Sequence, residues 1–148
     1  MKKILFLFLV VLVFVGCDER FMSWKEYNEE WLVAQRDKLG TDTNVVETQI
    51  LPSGVLIEKY HTGYGAIPKP SIDPVTQMSS AVIVKYTGGL VDGTRFDYND
   101  KASFYLHQVI SGWREAMSIM PLGSHWRVYI PSTKAYGEPG SNGSNGNF

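Results

Sequence analysis

A single cysteine, Cys17, stands among the 148 residues, and one thiol cannot close an intramolecular disulfide. Histidine is nearly as scarce. His61, His107 and His125 lie in separate segments, without the i, i+4 spacing or the cysteine company of a metal site, and each reads as a surface position on a strand. Charge of one sign is lacking too: the formal net charge is -1, with acids and bases interspersed. No basic stripe offers to hold a phosphate backbone, so nucleic acid is not expected as a partner. There is no internal repeat, and the one low-complexity block is the glycine-rich tail "GEPGSNGSNGNF". The remainder is ordinary, 44% hydrophobic and 20% charged, and fits one globular domain with short extensions.

The one long hydrophobic run opens the chain. "MKKILFLFLVVLVFVGC" places two lysines before an unbroken apolar run from Ile4 to Val15, then a glycine and the cysteine. That is the pattern of a secretory signal, too short to span a bilayer stably. Phe14-Val15-Gly16-Cys17 resembles a bacterial lipobox, with Phe14 where leucine is usual. The resemblance implies that residues 1–16 are a signal peptide and that Cys17 is acylated. The expected location is then the cell envelope membrane, outside the cytoplasm, with a lipid anchor as the link to that membrane. Cleavage removes Lys2 and Lys3 but no acid, so the mature chain is mildly acidic.

Residues 17–49 are expected to form a spacer behind the anchor. Within them "SWKEYNEEWLVAQRDKLG" predicts a helix over about 23–39. Ser23 and Glu26 make a candidate capping box, Gly40 is a natural stop, and Trp24, Tyr27, Trp31 and Leu32 share one face. A two-tryptophan stripe left exposed would be unusually sticky, so the helix is expected to fold onto the domain.

From Ile50 the pattern turns to strands. "ILPSGVLIEKY" carries a Pro-Ser-Gly turn before a β-rich run, "SSAVIVKYTGGLVDGTRFDY" reads as two strands joined at Val91-Asp92-Gly93, and "HWRVYIP" as a further strand. Between them "YGAIPKPSIDP" is loop. In "VISGW", Trp113 opens a short helix whose Ala116, Met117 and Met120 keep helical spacing until Pro121 and Gly123 stop it. The fold class is α+β, antiparallel strands around one short helix, preceded by an N-terminal helix.

Three blocks carry more than periodicity. "VKYTGGLVDGTRFD", "VISGW" and "MPLGSHWRVYIPSTKAYG" resemble, in order and spacing, the signature blocks of the FKBP family of peptidyl-prolyl cis-trans isomerases, nearest its bacterial exported branch. The resemblance spans roughly Leu51 to Gly140 and makes residues 50–148 an FKBP-like domain, a twisted antiparallel sheet wrapped around a short helix. It implies that Trp113 is the floor on which a proline ring lies. Tyr86, Phe96, Phe104 and Val109 would line the pocket and Asp97 would sit at its rim. The Ile110 N–H and the Tyr136 hydroxyl would donate to substrate carbonyls. The stretch "KASFYLHQ" is shorter than in some members, which leaves Phe104 or Ala102 for one family aromatic, with a wider pocket if it is Ala102.

By the same resemblance the activity is isomerisation of X-Pro bonds in exported proteins, with proline-containing polypeptides as partners. It needs no nucleophile, metal or cofactor. The alternative is a non-catalytic proline-binding or chaperone module using the same pocket. Family members continue past the glycine-rich loop with an Ile-Pro segment and one more interior strand. The chain stops at "SNGNF", so the expectation is a C-terminally incomplete domain with fold and activity compromised.

Overall fold

In the computed structural model the described residues are 23–137, with the backbone alone of the pairs 142–143 and 146–147. The expected signal peptide, Cys17 and most of the glycine-rich tail lie outside them.

Helix α1 spans Trp24–Lys38. Its start is the capping box read from the sequence: Ser23 Oγ accepts from Glu26 N–H at 3.2 Å, and the Glu26 carboxylate accepts from Ser23 N–H at 2.9 Å. Gly40, at φ +75°, turns the chain away just beyond its end. The expected buried stripe is only half realised. Trp31 and Leu32 are partly covered, with Trp31 5.8 Å from the Tyr129 ring. Trp24 and Tyr27 instead stack on each other at 5.5 Å and remain exposed. The ring contact with the sheet is made from Trp31, midway along the helix.

Strands β1 (Glu47–Ile50), β2 (Leu56–His61), β3 (Ala81–Gly89), β4 (Arg95–Tyr105) and β5 (His125–Tyr129), with helix α2 (Ser111–Met117), complete the domain. β1 begins three residues ahead of the expected start of the strand pattern at Ile50. These five strands form two antiparallel sheets, one in the order β1-β2-β5 and one pairing β3 with β4, and a short third ladder pairs Asn142–Gly143 with Gly146–Asn147. α2 begins at Ser111, so Trp113 sits in its first turn rather than opening it, and ends at Met117 before Met120 is reached.

The core forms where α2 meets the three-stranded sheet. Val55, Ile57 and Ala116 are buried against Leu51, Ile119, Trp126 and Val128. Gly112 lets this approach happen: a Cβ there would come within 2.4 Å of Ile130 Cγ2. β2 is buried along four successive residues, Leu56 to Lys59, because both faces of its sheet are covered. On the face toward Tyr129 and α1 lies Glu58, only 4% exposed. It accepts from the Tyr129 hydroxyl at 2.9 Å and the Gly40 N–H at 3.3 Å, and faces Arg127 at 3.6 Å. A buried carboxylate needs such donors, and here one of them is the end of the spacer helix.

Candidate active site

β3 alternates strictly between exposed and covered residues, so Val82, Val84, Tyr86 and Gly88 share its inner face. β4 pairs with it through Ala81↔Tyr105 to Gly89↔Arg95, but the register slips twice, between Val84 and Tyr86 and between Gly88 and Gly89. The second slip leaves Phe96 as an extra residue. Such bulges break the alternation of a strand and re-aim its side chains. Neighbouring residues Phe96 and Asp97 therefore both reach the same side of β3. The Phe96 ring lies over Gly88, where a Cβ would come within 2.7 Å of it, and Asp97 Oδ2 accepts a hydrogen bond from the Tyr86 hydroxyl.

After β4 a tight 3₁₀ turn at Leu106–Gln108 buries Leu106, and Val109 and Ile110, both half-buried, lead into α2. Ile110 is the N-cap residue, extended at φ -54° and ψ 150°, and its carbonyl takes the Arg114 N–H at 3.0 Å. Among the described residues nothing accepts from its own N–H. One turn in, the Trp113 ring is met edge-on by Tyr86 at 5.0 Å and by Phe104 at 5.5 Å, with interplanar angles of 87° for both. Tyr86 and Phe104 themselves meet at 5.7 Å. Edge-to-face packing of this kind sets the positive edge of one ring against the negative face of another.

Of Phe104 and Ala102, it is Phe104 whose ring meets Trp113; Ala102 is buried opposite Val84 within the ladder. Asp97, which could have been a turn acid, lies inside β4. Its partners are the Tyr86 hydroxyl and, at 2.8 Å on Oδ1, the Tyr98 N–H. Burial pushes the Tyr86 phenol up to about 12, with the Asp97 hydrogen bond and charge and then the nearby Tyr136 adding to the effect. Tyr136, half exposed, stands just after the 3₁₀ turn at Ser132–Lys134, near enough for its charge to bear on the Tyr86 phenol. The structure brings Tyr86, Asp97, Phe104 and Trp113 into contact, with Phe96 one strand position along and Val109, Ile110 and Tyr136 bordering them.

Sequence reading missed two supporting features. Ser111 Oγ donates to the Lys134 carbonyl at 3.1 Å, which ties the start of α2 to the segment carrying Tyr136. His107, expected on a strand surface, is half-buried in the 3₁₀ turn, where its N–H donates to Ser79 Oγ at 3.0 Å. Neither has a sequence signal beyond a polar residue beside an apolar run.

The arrangement is an α+β domain in which three aromatic rings and one carboxylate with few other polar groups meet beside the start of α2. A family model for FKBP-type peptidyl-prolyl cis-trans isomerase matches residues 73–147. The chain is 46% identical over 92 residues to the "Outer membrane protein MIP" of Legionella longbeachae, covering 60% of this chain and 36% of that one. It is 41% identical over 130 residues to the "FKBP-type 22 kDa peptidyl-prolyl cis-trans isomerase" of Escherichia coli K12, covering 85% and 56%. Its structure resembles that of a peptidyl-prolyl cis-trans isomerase from Pseudomonas syringae pv. tomato, with a TM-score of 0.60 and 33% identity over 81% of this chain and 84% of the other. The chain belongs to the FKBP-type peptidyl-prolyl cis-trans isomerase family. It spans between about a third and a little over half of the length of the two relatives named.

Proposed function

We propose that this chain accelerates rotation about X-Pro bonds in exported polypeptides at the cell envelope, with Trp113 as the surface on which the proline ring rests. The observation that carries the reading is the box itself: an indole met edge-on by Tyr86 and Phe104, with a carboxylate held at its rim.

The chemistry asks little of the protein. Unaided, the bond turns over in roughly tens to hundreds of seconds, across a barrier of about 18–20 kcal/mol set by amide resonance. Twisting the bond removes that resonance, so the transition state carries a less polar amide than the planar ground state. An apolar aromatic site binds the twisted form better, which is differential binding and needs no covalent step. Val109, Phe96, Tyr86 and Phe104 supply the walls. The Ile110 N–H and the Tyr136 hydroxyl donate to the flanking carbonyls and hold the peptide in a turn. Asp97 fixes the Tyr86 ring and sets the polarity of the rim.

The envelope location rests on the lipobox-like residues ending at Cys17 and on the naming of one relative as an outer membrane protein. Anchoring through an acyl group on Cys17 follows, since each buried CH₂ contributes about 0.8 kcal/mol. Two measurements test the two halves. Catalytic amounts of the chain should speed cis-trans exchange of a short proline peptide, and binding without acceleration would make it a recognition module instead. Cys17→Ser should move the protein out of the membrane fraction, and retention there would refute the anchor.

A further inference from the structure

Behind Trp113, on the opposite flank of α2, runs an open groove of about 790 Å³. Its apolar walls come from Leu51, Pro52, Pro70 and Ile72, and its polar lining from the small side chains of Ser71 and Ser118, from His107, and from Arg114 and Glu115 of the helix. Arg114 and Glu115 follow Trp113 round the helix and so lie off the face that carries the indole. Glu115 is already taken, since Lys134 Nζ sits 3.0 Å from its carboxylate. Arg114 has no ion pair within 4.0 Å among the described residues. His107 uses Nδ1 internally, with the Ser79 N–H at 3.4 Å and Ser79 Oγ at 3.0 Å. With Nδ1 accepting from that backbone N–H, the ring proton is assigned to Nε2, the remaining donor of the imidazole. Two donors and an unspent positive charge thus line an apolar trough that half-exposed Ile72 leaves open to solvent.

We propose that this groove is a second contact site for the client polypeptide, taking a segment that carries apolar side chains and a carboxylate. It rests on the isomerase reading for the identity of the partner, and on charge complementarity for its chemistry. A guanidinium in a partly desolvated site recognises a carboxylate with two parallel hydrogen bonds, and apolar walls take the flanking side chains. Trp113 and Arg114 are successive residues on one helix, so a chain held in the groove is held close to the proline pocket. That raises the local concentration of its proline bonds without adding any contact to the reacting amide.

The test uses the full chain and three substrates: a short proline peptide, a proline-free peptide of leucines with one glutamate, and an unfolded protein whose refolding waits on a proline bond. Arg114→Glu should weaken binding of the acidic peptide by about fivefold or more, the effect of one charge-assisted contact, and slow catalysed refolding by a similar factor. It should leave turnover of the short peptide unchanged, and Arg114→Lys should retain most of both activities. A photoreactive group at position 72 should cross-link to the acidic peptide. Equal binding and refolding by the wild type and Arg114→Glu would overturn the proposal, as would cross-links that form only to a second copy or to the C-terminal tail. Failure of the wild type on the short peptide would refute the isomerase reading, while acidic-peptide binding would still decide the groove.

Discussion

The Tyr86 hydroxyl donates to Oδ2 of Asp97, its diagonal neighbour across the β3–β4 ladder. One bond joins the aromatic wall of the pocket to the acid at its rim. It fixes the tilt of the ring that meets Trp113 edge-on, and it keeps a carboxylate beside an apolar surface with both oxygens occupied. Removing either partner should therefore disturb both. Asp97→Ala is expected to lower isomerisation several-fold while leaving the fold intact, and Tyr86→Phe to lower it less, because the ring remains. A larger loss for Tyr86→Phe than for Asp97→Ala, measured on a short proline peptide, would contradict this order.

The raised phenol of Tyr86 also has a consequence at high pH. Its folded value of about 12 lies above the ordinary 10.0, so it favours the native state below pH 10 and that contribution fades as pH rises through 12. Tyr60, likewise pushed up to about 12 chiefly by burial, behaves the same way. Burial raises the Tyr129 phenol as well, so titration of tyrosinate absorbance should show three phenols ionising late, with Tyr86→Phe removing one of them. All three ionising near pH 10 in the folded protein would show that none of these phenols is shielded.

Gly112 and Gly88 make a sharper structural prediction. Helix propensity alone would make Gly112→Ala stabilising by about 1 kcal/mol, yet the new methyl would lie 2.4 Å from Ile130 Cγ2. Overpacking should win and the variant should lose roughly 1–3 kcal/mol, with recovery when Ile130→Ala is added. Gly88→Ala should displace the Phe96 ring and cost activity as well as stability. Urea unfolding of the single and paired variants measures the coupling.

How much of this could be read in the chain differs from residue to residue. The capping box of α1, the β3–β4 hairpin and the strand at "HWRVYIP" follow from local chemistry, and the structure places all three. Trp113 is different. By pattern alone it is one more apolar residue at a helix start, and only the three signature blocks give it a role. The Tyr86–Asp97 bond depends on a bulge at Phe96, and a bulge leaves no mark in the alternation of a strand. Glu58 shows why burial escaped the sequence: an acid within a β-rich run carries no local mark of being buried, and here the Tyr129 hydroxyl and the Gly40 N–H just past α1 close over it. Trp24 and Tyr27, in the first turn of the helix, stack on each other and stay exposed, which their shared face with Trp31 and Leu32 does not foretell.

Glu58 is accordingly the latch of the spacer helix. Glu58→Ala leaves the half-buried Tyr129 hydroxyl without its acceptor, at a cost of about 1–3 kcal/mol, and releases the Gly40 N–H, at an exposed residue, to solvent. Hydrogen exchange in α1 should accelerate in this variant more than exchange in α2. Uniform acceleration across the domain would mean that Glu58 supports the sheet and not the helix.

Tyr136 and Trp113 separate hydrogen bonding from shape. Tyr136→Phe should keep the fold and slow isomerisation several-fold, as loss of one bond worth about 1 kcal/mol would. Full activity on several peptides would deny its hydroxyl a share in catalysis.

Trp113→Ala tests the central claim most directly. The variant removes the floor of the box and, because the indole is only half-buried, should cost stability near the low end of the 3–5 kcal/mol typical of a tryptophan truncated in a core, about 3 kcal/mol. Its cis-trans exchange rate on a short proline peptide, followed by NMR under conditions where circular dichroism shows it folded, is the decisive number. The account predicts clear acceleration by the wild-type chain and a loss of at least tenfold in Trp113→Ala, about 1.4 kcal/mol of transition-state binding. A folded Trp113→Ala variant that accelerates exchange as well as the wild type would contradict it.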